Sequence, residues 1–195
     1  RSWMLASLNN ERDRPSLSLP QARAETDVLQ AFGWTGSRQK PITERDTDPN
    51  ILQPGVLANG ILTSTLTRAS HNSRLAQLAV HAHSPESLAD ALFLRILSRR
   101  PEPAERATFT SALAEGFNSR LIPADRIEPP KPPPPLPLIT WFNHQRQKAT
   151  KVQNEVERRV RKGPPADPRL QPQWREVYED LIWSLVNQRE FVWMP

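Results

Sequence analysis

The chain has 195 residues, 21 of them Pro and only 6 Gly, a formal net charge of +5 and no Cys. Zero Cys excludes disulfides, thiolate metal sites, a Cys nucleophile and C-x-x-C-H haem attachment, and no apolar run reaches the roughly 18 residues that a membrane-spanning helix needs. The length suits one domain with arms, the Pro share is roughly twice the usual and predicts stiff extended stretches, and the positive charge favours an anionic partner without choosing one.

The opening RSWMLASL has no initiator Met and no charged-then-apolar leader, and reads as the start of a C-terminal fragment or processed product. Trp3, Leu5 and Leu8 suggest an extended segment lying on a core. From Gln21 the period changes: Ala24, Val28, Ala31 and Phe32 share one helical face, and Gly33 suits the position just past a helix end. After a Gly- and Pro-containing loop, Asp48-Pro49 signals a helix start, and a helix over 50–66 is expected with its first turn disturbed by Pro54. A short helix from Asn72 to Ala82 should bury Leu75, Leu78, Ala79 and Ala82.

The clearest element is SPESLADALFLRILSRRP. Ser84 caps it, Pro85 starts it, Leu88, Ala91, Leu92, Phe93, Ile96 and Leu97 form a wide apolar face, and Arg99-Arg100 precede the stop at Pro101. The next helix, Pro103 to Glu115, should bury Phe109, Ala112 and Leu113 and end at Gly116. Pro129 to Pro137 then predict polyproline II, which at about 3.1 Å per residue carries the chain roughly 28 Å.

Asn143 to Lys162 predicts a different kind of helix. Its apolar stripe, Ala149, Val152, Val156 and Val160, is narrow, while Arg146, Lys148, Lys151, Arg158, Arg159, Arg161 and Lys162 outnumber Glu155 and Glu157. Glu155 to Arg159 and Glu157 to Arg161 are favourable i, i+4 pairs. In the last helix Trp174, Val177, Tyr178, Leu181 and Leu185 recur at helical spacing, with Ile182, Trp183 and Val186 widening the face. So apolar a segment should return to a core.

The fold expected is therefore all-α: an irregular helical body with a proline-rich crossing connector, a basic surface helix and a C-terminal helix packed back on the core. The boundaries fall at 1–122 for the body with its extended N-terminal segment, 123–142 for the connector, 143–171 for the basic helix and turn, and 172–195 for the returning helix.

Chemistry-bearing motifs are sparse. Asp46, Asp48 and Asn50 resemble the start of a calcium loop, but the positions that need Gly and a bidentate Glu hold Ile51 and Leu57. Asp48 as a helix cap is the better reading, and no metal is expected. His81 and His83 would stand about 200° apart on a helix and so could not share an ion; His71 and His144 stand alone. No nucleophile-elbow, zinc-protease or phosphate-loop motif is present.

KPPPPLP fits a peptide-ligand pattern, but a connector is the better reading. A polar network of Arg45, Asp48 and Asn59 and an anion-binding face formed by the seven cations of the basic helix are the candidate sites. Nucleic acid is disfavoured as a partner because no aromatics interleave with those charges.

Three stretches, ERDTDPNILQPGVLANG, LFLRILSRRPEPAERATF and YEDLIWSLVNQREFVW, resemble a planctomycete-type family of large secreted bacterial proteins whose C-terminal module is a domain of unknown function, the fifteen-fifty-three family. Arg45, Thr47, Pro49, Gln53 and Asn59 fall on its first pattern; Leu97, Arg99, Pro101 and Glu105 fall on its L-x-R-x-P-t-x-x-E turn. Asp180, Leu181, Trp183, Leu185, Asn187, Glu190 and Phe191 fall on its closing helix. The chain departs from the family at Pro54-Gly55, where Ala-Leu is more usual, and in its proline-rich insert and basic helix.

The resemblance implies an all-helical module, export to the periplasm or cell surface, and fusion to upstream domains, often including a cytochrome. The leading expectation is a non-catalytic module that contacts its own upstream domains, a protein partner or an anionic polysaccharide, with no cofactor in this chain and haem possible upstream. The alternative is a contribution to a hydrolytic or redox site shared with those domains.

Overall fold

A computed structural model describes residues 23–33, 50–137 and 145–192. Among them the chain is all α. Its helices are α1 (Arg23–Ala31), α2 (Leu52–Asn59), α3 (Ile61–Leu66), α4 (Arg74–His81), α5 (Pro85–Ile96), α6 (Pro103–Ala114), α7 (Gln147–Lys162), α8 (Pro172–Val186) and α9 (Arg189–Val192), with 3-10 turns at Phe117–Ser119 and Ala124–Arg126. The expected extended segment at Trp3, Leu5 and Leu8 lies outside the described residues. The chain falls into two compact units, 1–64 with 132–163 and 65–131 with 164–195.

In the first unit α1 packs on α2 and α7. Ala31 is buried as its spacing predicts, but Phe32 remains 36 % exposed. The helix stops at Ala31, and Phe32 stands in the turn that leads to Gly33 at φ 84.

The single helix expected over 50–66 is two. The Asn50 side chain accepts the Leu52 amide at 2.9 Å, and Pro54 sits in the first turn, where the missing donor has no helical acceptor to lose. Gly60 then turns extended, at ψ 157, while its amide still donates to the Val56 carbonyl at 2.8 Å. A Cβ at Gly60 would lie 2.2 Å from that carbonyl oxygen, so the close approach requires glycine. Asn59-Gly60 is a turn dipeptide, and it is the sequence signal for this break.

The stripe expected on the basic helix is present on α7: Ala149 and Val152 are buried, and Val156 with Leu136 of the proline run packs against them. The Arg159 Nη2 donates to the Pro134 carbonyl at 3.0 Å. The Leu of KPPPPLP is thus occupied within its own chain.

In the second unit the Ser84 and Ser87 side chains cap α5 reciprocally, and α5 packs with α4, α6 and α8. Leu88, Leu92, Phe93, Leu113, Tyr178, Ile182 and Leu185 are fully buried in one cluster, with Phe93 edge-on to Phe109 at 4.9 Å between centroids. The terminal helix does close this core. Trp174 stacks on Tyr178 and donates its indole N–H to the Leu113 carbonyl, while the Tyr178 hydroxyl donates to the Leu75 carbonyl.

Two of its expected core residues are corrected: Trp183 is 43 % and Val177 40 % exposed. At 3.6 residues per turn Trp183 points about 180° away from Trp174, so the buried face is the narrower row Trp174, Tyr178, Ile182 and Leu185.

The segment delivering α8 is stitched on both sides. Bridges join Ser70 to Ala166 and Leu121 to Leu170, and backbone bonds join Asp167 to Ala69 and Ile122 to Arg169. Asp167 is fully buried. Burial opposes its charge, but the Arg169 guanidinium and the amides of Arg169 and Asn72 outweigh that cost and hold the carboxyl below its usual range. Arg120 lies over the Phe117 ring and donates to the carbonyls of Ala79, Phe117 and Ala82, fixing the 3-10 turn to the end of α4.

Candidate anion-binding face

The cations expected on the basic helix are placed by α7 as follows. Arg146, Lys148, Lys151, Arg158, Arg161 and Lys162 are exposed, and Arg159 is half-buried. On a helix of 3.6 residues per turn, Lys148, Lys151, Arg158 and Lys162 fall within an arc of about 80°, a flank beside the apolar stripe. The stripe and the docked proline run hold one side of α7 in the unit, which leaves that flank to solvent.

Glu155 stands in the middle of the flank. Its carboxylate accepts Arg158 Nε and Nη2 at 2.7 and 2.9 Å and Arg159 Nε at 3.0 Å. Those two guanidiniums bring its pKa down to about 2, so it is charged at any working pH and partly neutralises the upper end of the flank. The i, i+4 pair expected between Glu155 and Arg159 is present.

Of the other candidates, Arg45 and Asp48 lie outside the described residues, as do Asp46 and His144. Asn59 is exposed at the last position of α2. Asn50 accepts the Leu52 amide ahead of α2. Among the described residues no group of three or more His, Asp or Glu could hold a metal ion. The two histidines are not on one helix: α4 ends at His81, and Ala82 leaves it extended at ψ 135, so the expected separation of the rings by helical register does not apply.

A second polar centre joins two of the three stretches that carry the resemblance. Arg99 donates to Glu105 at 2.7 and 2.9 Å and to Glu190 at 2.8 and 2.9 Å, and its guanidinium lies 5.4 Å from the Phe93 ring centroid. Ser98, at φ 58, makes the left-handed turn that precedes it. The buried Arg120 and Asp167, with the partly exposed Arg169 that pairs with Asp167, stand in no periodic or motif pattern, and nothing in the sequence singles them out.

Residues 2–113, more than half of the chain, match the family described as PSD1, protein of unknown function (DUF1553). The chain belongs to the DUF1553 family. The Leu97–Glu105 turn lies within the DUF1553 match, and Glu190, which lies beyond it, is bound to that turn through Arg99. No curated protein and no solved structure matches the chain. No helix among the described residues of this DUF1553 chain is long and apolar enough to cross a membrane.

Proposed function

We propose that the chain is a non-catalytic contact module that uses the basic flank of α7 to hold an extended polyanion, either an acidic surface of an upstream domain of the same polypeptide or an anionic polysaccharide. The observation that carries this reading is the alignment of Lys148, Lys151, Arg158 and Lys162 along one exposed flank of a helix that is anchored along the neighbouring apolar stripe. Aligned charges of one sign gain more from a partner with repeated anionic groups than from a single ion, and they steer its approach. Export and an upstream partner domain, haem-bearing or not, belong to the same reading and rest on the family resemblance.

The test is charge reversal of Lys148, Lys151 and Lys162 to Glu in the whole chain. These side chains are exposed, and surface charges contribute only about 0–1 kcal/mol each to stability, so the melting temperature should stay near the parent's. Retention on heparin or on an acidic polysaccharide column should fall to background at low salt. A variant retained like the parent contradicts the proposal.

A further inference from the structure

The second unit contains a groove of about 320 Å³ between α4 and α5. Its walls follow from helical spacing. Arg74, Gln77, Leu78 and His81 stand at i, i+3, i+4 and i+7 on α4, while Leu88, Ala91 and Arg95 stand at i, i+3 and i+7 on α5. His83, in the turn between the helices, lines the same space because the chain leaves α4 extended at Ala82.

The floor is apolar, made of Leu78, Ala82, Leu88 and Ala91, and the rim carries Arg74, Arg95, His81 and His83 with no carboxylate in the lining. Among the described residues neither Arg74 nor Arg95 has an acidic partner. Most other arginines of this unit are engaged: Arg99, Arg106, Arg169 and Arg175 pair with carboxylates, and Arg120 binds carbonyls. The capping serines do not compete for a ligand, since Ser84 and Ser87 are committed to each other. The end of α5 that faces the groove is therefore already satisfied.

We infer that this groove binds a small organic phosphate or sulfate ester, with the oxyanion held by Arg74 and Arg95 from the two walls and the apolar body of the ester lying on Leu78, Leu88 and Ala91. A guanidinium fork matches tetrahedral oxyanions in a bidentate way, and two forks from separate helices suit a group with three free oxygens better than a planar carboxylate. The imidazoles of His81 and His83 add hydrogen-bond donors at the rim. The volume lies at the small end of ligand pockets, which run from about 300 to 1,000 Å³, so the occupant is a small molecule rather than a chain. The site lies in the second unit and does not involve α7.

The experiment is an NMR titration of the isotopically labelled whole chain with phenyl phosphate, phenyl sulfate and, as the neutral control, benzyl alcohol. The amides of residues 74–95 should shift saturably with one or both esters, and which ester binds identifies the oxyanion. Benzyl alcohol should leave them in place. Replacing Arg74 and Arg95 together by Gln should weaken the ester about ten-fold or more, as expected for the loss of charged hydrogen bonds, with an unchanged melting temperature because both side chains are exposed. His81→Gln with His83→Gln should weaken it less, and charge reversal on α7 should leave it unaltered. The inference is overturned if neither ester gives saturable shifts in 74–95, if benzyl alcohol binds as well as the esters, or if the arginine variant retains affinity within about two-fold.

Discussion

Arg99 shows what a single residue contributes to this fold. Its guanidinium holds Glu105, six residues on, and Glu190, in the first turn of α9. Both pairs are about a third open to water, so Arg99→Ala should cost about 1–2 kcal/mol, more than an ordinary surface pair and less than a buried one. Arg99→Lys should recover little, because an ammonium cannot hold Glu105 through two parallel N–H donors while Nε reaches Glu190; urea midpoints of the three proteins test this.

The Arg99 guanidinium also holds the Glu105 carboxyl below its usual range. With the folded pKa below the unfolded value of about 4.3, the folded state binds fewer protons. The stabilisation from this pair is present above about pH 4.3 and lost as pH falls through the folded pKa. The stability gap between parent and Arg99→Ala should therefore narrow in acid.

Glu155→Gln removes the negative charge that pairs with Arg158 and Arg159 and should strengthen retention on a polyanion column, a result opposite in sign to that of the lysine reversals. Arg99, Glu105 and Glu190 were legible as positions of the family patterns, but their mutual contact was not, because the sequence does not show which carboxylate a lone guanidinium will reach. Arg120 and Asp167 were not legible at all. Each is defined by carbonyls and amides brought to it by the fold.

Elements were read best where pattern and caps agreed. Ser84, Pro85 and the wide apolar face fixed α5, and the narrow stripe of α7 was recognised from four positions. Apolar residues continue on both sides of Gly60, so periodicity predicts one helix there and masks the Asn59-Gly60 turn signal. Gly60→Ala tests the break: with its Cβ 2.2 Å from the Val56 carbonyl oxygen, the backbone must shift, and a loss of about 1–3 kcal/mol is expected. A neutral or stabilising substitution, measured by thermal melting, would mean that α2 and α3 can run on as one helix.

In the molecule as a whole, the apolar spacing of the terminal helix predicts its place in the core but not the width of its buried face, because spacing alone does not separate the row that packs from the apolar residues beside it. Trp183 and Val177 lie outside the buried row. Deleting residues 174–195 removes the buried Trp174, Tyr178, Ile182 and Leu185, each worth about 1.5–3 kcal/mol when fully buried, against the ~5–15 kcal/mol that holds a domain folded. The truncated chain should lose its cooperative melting transition; a monomer that melts like the parent would place α8 outside the core.

The functional reading depends on where a polyanion touches. The direct measurement is an NMR titration of the labelled whole chain with a heparin-type oligosaccharide at low salt, following backbone amides. The reading predicts saturable shifts concentrated in residues 146–162, abolished when Lys148, Lys151 and Lys162 are reversed to Glu, with the buried residues of α8 unmoved. Shifts that centre elsewhere, or that persist unchanged in the reversed variant, would contradict the account of α7 as the contact surface.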